Sequence, residues 1–243
     1  MHDESLELST ARGEQYWNYV SQHVAATDGS ITHTVRAEWV PDGVGGLFPH
    51  VLGWTLDSSA AFLYMGGGPD GCGVNGFSQD IWRVSTDDGS VLNLGSVPGI
   101  PSLSRDATRI GGSRLLDDEQ GEVTWIEAAT ATQHSSSFPV PQDLSAEWAE
   151  LSPPIWSPDG KSIVVRVAYN GCSAEWHETL VFHDLVTGAS NVVAESSEGF
   201  ATLYVEDWQP DDALVVSESV SPWANSNSDS VERRIDARTG RTR

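Results

Sequence analysis

A chain of 243 residues with 39% hydrophobic and 20% charged side chains can bury a sizeable core, which excludes a wholly disordered protein. Its 35 acids against 13 Lys and Arg give a formal net charge of -22. Lys161 is the single lysine and five of the twelve arginines crowd the last eleven residues, so nucleic-acid binding, which needs a basic field, is excluded.

Residues 1–15 read as a flexible N-terminus, with neither the basic start nor the apolar core of a signal peptide. From residue 16 onward the turn dipeptides are dense and the apolar runs short and β-branched, as in Ser162–Ala168, Thr179–Phe182 and Ala213–Ser217, which predicts strands throughout. Tyr16–Ala26, the turn Asp28-Gly29-Ser30 and Ile31–Val35 read as a hairpin inside a partial unit over 16–49. Trp39-Val-Pro-Asp-Gly43, 15 residues before Trp54, is read as a degenerate remnant or a loop.

Four fuller units follow, at 50–98, 99–145, 150–198 and 203–243. Their anchors Trp54, Leu103, Trp156 and Trp208 recur at spacings of 49, 53 and 52 residues. Each anchor precedes a turn carrying aspartate, most fully in Trp156-Ser-Pro-Asp159-Gly160 and also in Trp208-Gln-Pro-Asp211, and each turn precedes an apolar strand, a variable loop and a further strand. This predicts an all-β chain, a β-propeller of four-stranded antiparallel blades with about four recognisable blades and an N-terminal partial one. The anchors are expected in the core, each packed against the next blade, and Asp and Gly are expected to shape the tight turn between the first two strands. Leu103 and the missing Pro-Gly make unit two the place where turn or register is expected to differ.

Pro153-Pro-Ile-Trp-Ser-Pro-Asp-Gly-Lys-Ser-Ile-Val164 resembles the blade signature of TolB-like, WD40-like propellers, also seen in the propeller domains of prolyl oligopeptidase relatives. Trp156, Ser157, Pro158, Asp159, Gly160 and Lys161 match it position by position, and Asp184–Gly188 matches its strand-turn element. The resemblance runs over about residues 50–240 and implies a scaffold that binds proteins or gates peptides without chemistry of its own. Ring closure stays open between a five-bladed ring, with Ile31–Val35 supplying the last unit's outer strand, and an incomplete segment of a larger ring.

Motifs of chemistry are sparse. The Gly-x-Ser-x-Gly elbow, His-Glu-x-x-His and the Walker loop are absent, and the dispersed histidines do not suggest a metal site. Gly66–Gly76 lacks the helix and lysine of a phosphate cradle, and Asn225–Asp229 lacks the bidentate glutamate of a calcium loop. No cofactor and no metal are therefore expected. Two cysteines, Cys72 and Cys172, are too few for a disulfide scaffold or a cysteine zinc site and are expected as free thiols.

The candidate site is a rim of loops that a propeller would bring to one face, with Phe77, Asp117, Asp118, Trp176, Trp223 and Asn225 as its binding residues. Aromatics among acids suit a protein or peptide partner of basic character. The function expected first is a non-catalytic propeller scaffold engaged through those loops. The alternatives are a propeller enzyme, lyase or hydrolase, favoured if Arg105, Arg166 and His183 converge in a channel, the propeller part of a peptidase lacking its catalytic domain, or a truncated paralogue without a specific ligand. With no apolar window of membrane-spanning length the chain reads as soluble and cytoplasmic as it stands, or periplasmic or extracellular if it is a mature form or a fragment.

Overall fold

The computed structural model describes residues 10–12, 15–25, 32–41, 48–66, 78–117, 119–143, 149–170, 175–196, 202–219 and 230–243. The described elements are all strands, in five antiparallel sheets. The first sheet joins β1 (Thr10–Arg12), β2 (Gln15–Ala25) and β3 (Thr32–Pro41). The second is β4 (Phe48–Trp54), β5 (Ala60–Gly66), β6 (Ser78–Ser85) and β7 (Val91–Pro98), and the third is β8 (Ser102–Leu103), β9 (Arg109–Leu115), β10 (Gln120–Glu127) and β11 (Thr132–Pro139). In the fourth sheet β12 (Ala149–Leu151) and β13 (Ile155–Trp156) share the edge of β14 (Ser162–Tyr169), followed by β15 (His177–Asp184) and β16 (Ser190–Glu195). The fifth is β17 (Thr202–Trp208), β18 (Ala213–Ser219) and β19 (Ser230–Asp236). Consecutive antiparallel sheets of about four strands, each strand beside its chain neighbour, give the chain a propeller-like all-β fold.

Two compact units form, Met1–Gly68 with Gln79–Ser96, and Pro69–Ser78 with Val97–Arg243. In the first unit the expected hairpin is present as β2 and β3, with Trp39 opposite Tyr19 inside the ladder rather than in a loop. Thr10–Arg12, expected within a flexible leader, pairs with Gln15–Trp17. β3 pairs with β2 along one edge, and in the second unit Thr242 bridges to Ile235 of β19.

The second unit is built on period-two burial. Ile163, Val165 and Val167 of β14 face a cluster with Val123, Phe138, Val140, Leu151 and Trp156, whereas Val164 faces one with Leu180, Phe182, Leu203, Trp208 and Leu214. Both faces of the fourth sheet are thus buried. The anchors pack backwards, against the preceding sheet rather than the next: Trp156, 6% exposed, lies over Gly111, and Trp208, 4% exposed, meets Phe182 at a ring-centroid distance of 6.2 Å. Trp54, expected in the core, is 40% exposed, and Leu103 is half-buried.

The turn after each anchor is the same in all four repeats. Its residue with positive φ is Ser58 at 59°, Ala107 at 57°, Gly160 at 67° and Asp212 at 62°, so unit two keeps the turn despite its missing Pro-Gly. Gly160 takes this φ without a Cβ penalty, and an aspartate accepting from a main-chain N–H braces the turn in three of the four repeats, that of Gly160 included. Asp57 Oδ1 accepts from the Ser59 N–H at 3.0 Å, Asp106 Oδ1 from Thr108 at 3.1 Å and Asp159 Oδ1 from Lys161 at 3.1 Å. These bonds hold Asp57 at a pKa of about 2 through the hydroxyl and N–H of Ser59. In the last repeat Asp211 instead binds Arg234 at 2.8 Å.

Candidate functional site

Of the expected rim, Phe77, Asp118, Trp223 and Asn225 lie outside the described residues, as do Cys72 and Cys172. Asp117 is exposed, and its Oδ1 accepts from the N–H of Glu119 at 2.9 Å, shaping its own turn. Trp176 is half-buried, and its indole Nε1 donates to Glu178 Oε1 at 3.0 Å.

That bond leads to a constellation the motif search missed. Glu178, at the start of β15, is 0% exposed, and its Oε2 accepts from the main-chain N–H of Leu203 at 2.6 Å. Arg166 on β14 stands 3.6 Å from the same carboxylate, donates to the Leu203 carbonyl at 3.4 Å and lies over the Tyr204 ring at 5.4 Å. Leu203 belongs to β17, the edge of its sheet. The acid and the guanidinium therefore hold its N–H and C=O as a neighbouring strand would, joining the fourth and fifth sheets. Burial raises the Glu178 pKa, opposed by Arg166, the Leu203 N–H and the Trp176 indole.

Beside this pair opens a cleft of about 230 Å³ with Pro153, Ile155, Leu180, Leu203 and Val205 as apolar wall and Arg166 and Tyr204 at its polar side. Tyr204 is 48% exposed, and beyond Val205 on β17 Glu206 and Asp207 are exposed acids. An apolar floor with an aromatic and carboxylates on a sheet edge can hold an extended chain carrying a cation.

Arg105, Arg166 and His183 do not form one site. Arg105 is exposed in the β8–β9 turn, Arg166 faces the fifth sheet, and His183 is buried on the opposite face of the fourth sheet, against Ser136 of β11. Among the described residues no cluster of three His, Cys, Asp or Glu could hold a metal ion, and no helix is long and apolar enough to cross a membrane. The signal for Arg166 and Glu178 was a single charged residue inside an apolar strand, which demands a partner when the strand is buried on both faces.

No known protein family and no curated protein matches the chain. Among solved structures it is similar to the β-propeller domain of the Trilobed protease from Pyrococcus furiosus, 11% identical over 97% of this chain and 69% of that one, with a TM-score of 0.47. It is also similar to oligogalacturonate lyase from Vibrio parahaemolyticus, 10% identical over 87% of this chain and 58% of the lyase, with a TM-score of 0.49. Pyrococcus horikoshii acylaminoacyl peptidase is 11% identical over 97% of this chain and 38% of the peptidase, with a TM-score of 0.47. These identities concern a distantly related propeller-like fold alone.

Proposed function

We propose that the chain is a peptide-recognising propeller module of the kind joined to a peptidase, which selects an extended basic segment and leaves peptide-bond cleavage to another domain or chain. The observation that supports this reading is the β17 edge, where Tyr204, Glu206 and Asp207 are exposed beside the apolar cleft of Arg166. The Arg166 charge is already balanced by Glu178 at 3.6 Å, so the acids beyond it set the sign of the site. The net charge of -22 draws a basic ligand toward any face of the protein, and the cleft gives that attraction a place to end.

Fluorescence anisotropy with labelled ten-residue peptides tests this. Peptides rich in Lys and Arg should bind, more weakly as salt rises, and acidic peptides of matched hydrophobicity should not. Equal binding of both, or of neither, would contradict the proposal. Ser152 lines the cleft, where its Oγ accepts from the Arg166 main-chain N–H at 3.0 Å; a serine hydrogen-bonded to histidine lies on the other face of the fourth sheet.

A further inference from the structure

We propose that Ser190 is a nucleophile, activated by His183, that accepts an acyl or phosphonyl group from small apolar esters seated in the groove beside it. Ser190 on β16 is the direct cross-strand partner of His183 on β15, and its Oγ stands 2.8 Å from His183 Nδ1. The other ring nitrogen, Nε2, is 2.8 Å from Ser136 Oγ on β11, and the Phe138 ring packs against the imidazole at a centroid distance of 5.3 Å. Nucleophile, base and a third group that orients the base are thus in line, each link at hydrogen-bond distance.

The imidazole is 0% exposed, and burial lowers its pKa, with Asp184 opposing, so the ring is held neutral. A neutral imidazole carries one N–H. With that proton on Nε2 and donated to Ser136, a tautomer both hydroxyl partners allow, the Nδ1 lone pair faces the Ser190 hydroxyl. Two serines around a buried histidine satisfy both its nitrogens, and Ser190 lines an opening.

That opening is a groove of about 330 Å³ between the end of β11 and β16, walled by Pro139, Val140, Pro141, Val181 and Val192. It suits a compact apolar acyl or aryl group and offers no charged side chain to a peptide terminus. In the transfer the Oγ–acyl carbon bond forms, the ester C–O bond breaks, and the Oγ proton passes to Nδ1 and on to the departing alkoxide or aryloxide. Water reverses the sequence and releases the acid. With a fluorophosphonate the Oγ–P bond forms, P–F breaks, and fluoride leaves while the proton passes to solvent.

The test uses the full chain with a small alkyl fluorophosphonate, read by intact mass and peptide mapping. One adduct on Ser190 is expected, absent in Ser190→Ala and formed at least about tenfold more slowly in His183→Gln. Because the histidine is buried, His183→Gln could lose the fold, which circular dichroism would reveal; the pH profile of the unmodified chain then decides. A base with a pKa below the ordinary histidine range keeps labelling constant across neutral and mildly alkaline pH and loses it in acid, whereas uncatalysed attack rises with hydroxide throughout. No adduct, an adduct on another residue, or a rate that follows hydroxide would overturn the assignment.

Discussion

The indole of Trp156 occupies the space a side chain on Gly111 would need: a Cβ built on Gly111 would stand 2.5 Å from Trp156 Cζ2. The same indole donates from Nε1 to Ser102 Oγ at 3.0 Å, and Ser102 donates in turn to the carbonyl of Pro154. One aromatic ring thus seats the fourth sheet on the third through both shape and a hydrogen bond.

Gly111→Ala should therefore lose about 1–3 kcal/mol, the range for overpacking a rigid contact, and Trp156→Ala about 3–5 kcal/mol. In the double variant the methyl no longer collides with the ring, so the two losses should add to less than their sum. Urea unfolding of the three variants measures this. Strict additivity would separate the two residues.

The strand-turn aspartates stabilise the fold from the carboxylate side. Asp236 is held at a pKa of about 2 by the Arg243 guanidinium at 2.5 Å, the Thr239 hydroxyl at 2.9 Å and the N–H groups of Arg238 and Thr239. A folded pKa below the ordinary 3.8 means the stabilisation is fully present above about pH 4 and is lost as pH falls through about 2. Asp236→Asn should lose about 1–2 kcal/mol at neutral pH and show a shallower fall in stability below pH 4, checked by unfolding between about pH 2 and pH 7.

Glu178 works in the opposite sense. Its raised pKa makes the folded state hold the proton more tightly, so its share of stability is greatest below the ordinary glutamate range and falls as pH rises through the raised value. Glu178→Gln removes that fall. It also turns an amide donor toward either the Trp176 indole or the Leu203 N–H, both donors, so the variant should be less stable in acid than the parent. Urea midpoints of the two proteins should converge from about pH 4 upward, and parallel curves would show that Glu178 does not titrate in this window.

Much of the architecture was legible because the repeat is written twice over. A turn with aspartate is expected after each anchor, with unit two expected to differ, and the structure turns the chain alike at Ser58, Ala107, Gly160 and Asp212. The direction of packing was not legible, because a tryptophan beside a turn is equally apolar toward either neighbour. What selects the preceding sheet is the pair Gly111-Gly112, whose missing side chains leave room for Trp156 on one side and for the Pro98 carbonyl on the other.

The arginine cluster shows a second limit. Composition places five arginines at the end of the chain but does not name their partners: Arg238 reaches Asp184 and Asp212, both at 3.2 Å, and Arg234 and Arg243 reach Asp211 at 2.8 Å and 3.4 Å. Pairing follows strand neighbourhood, which composition does not carry. The cleft was hidden for the same reason: Arg166 and Glu178 meet Leu203 only because β14, β15 and β17 become adjacent, and nothing in their spacing along the chain marks them.

Peptide recognition at the β17 edge is tested most directly by isothermal titration of a basic peptide into the full chain and into a Tyr204→Ala, Glu206→Gln variant. Both positions are exposed; the variant loses the Arg166 contact with the Tyr204 ring and the Ser217 bond to Glu206 and should stay folded, which urea unfolding checks. Saturable binding to the parent is expected, about tenfold or more weaker in the variant and weaker in the parent as salt rises. Unchanged affinity in the folded variant would contradict it and place any peptide contact away from the β17 edge.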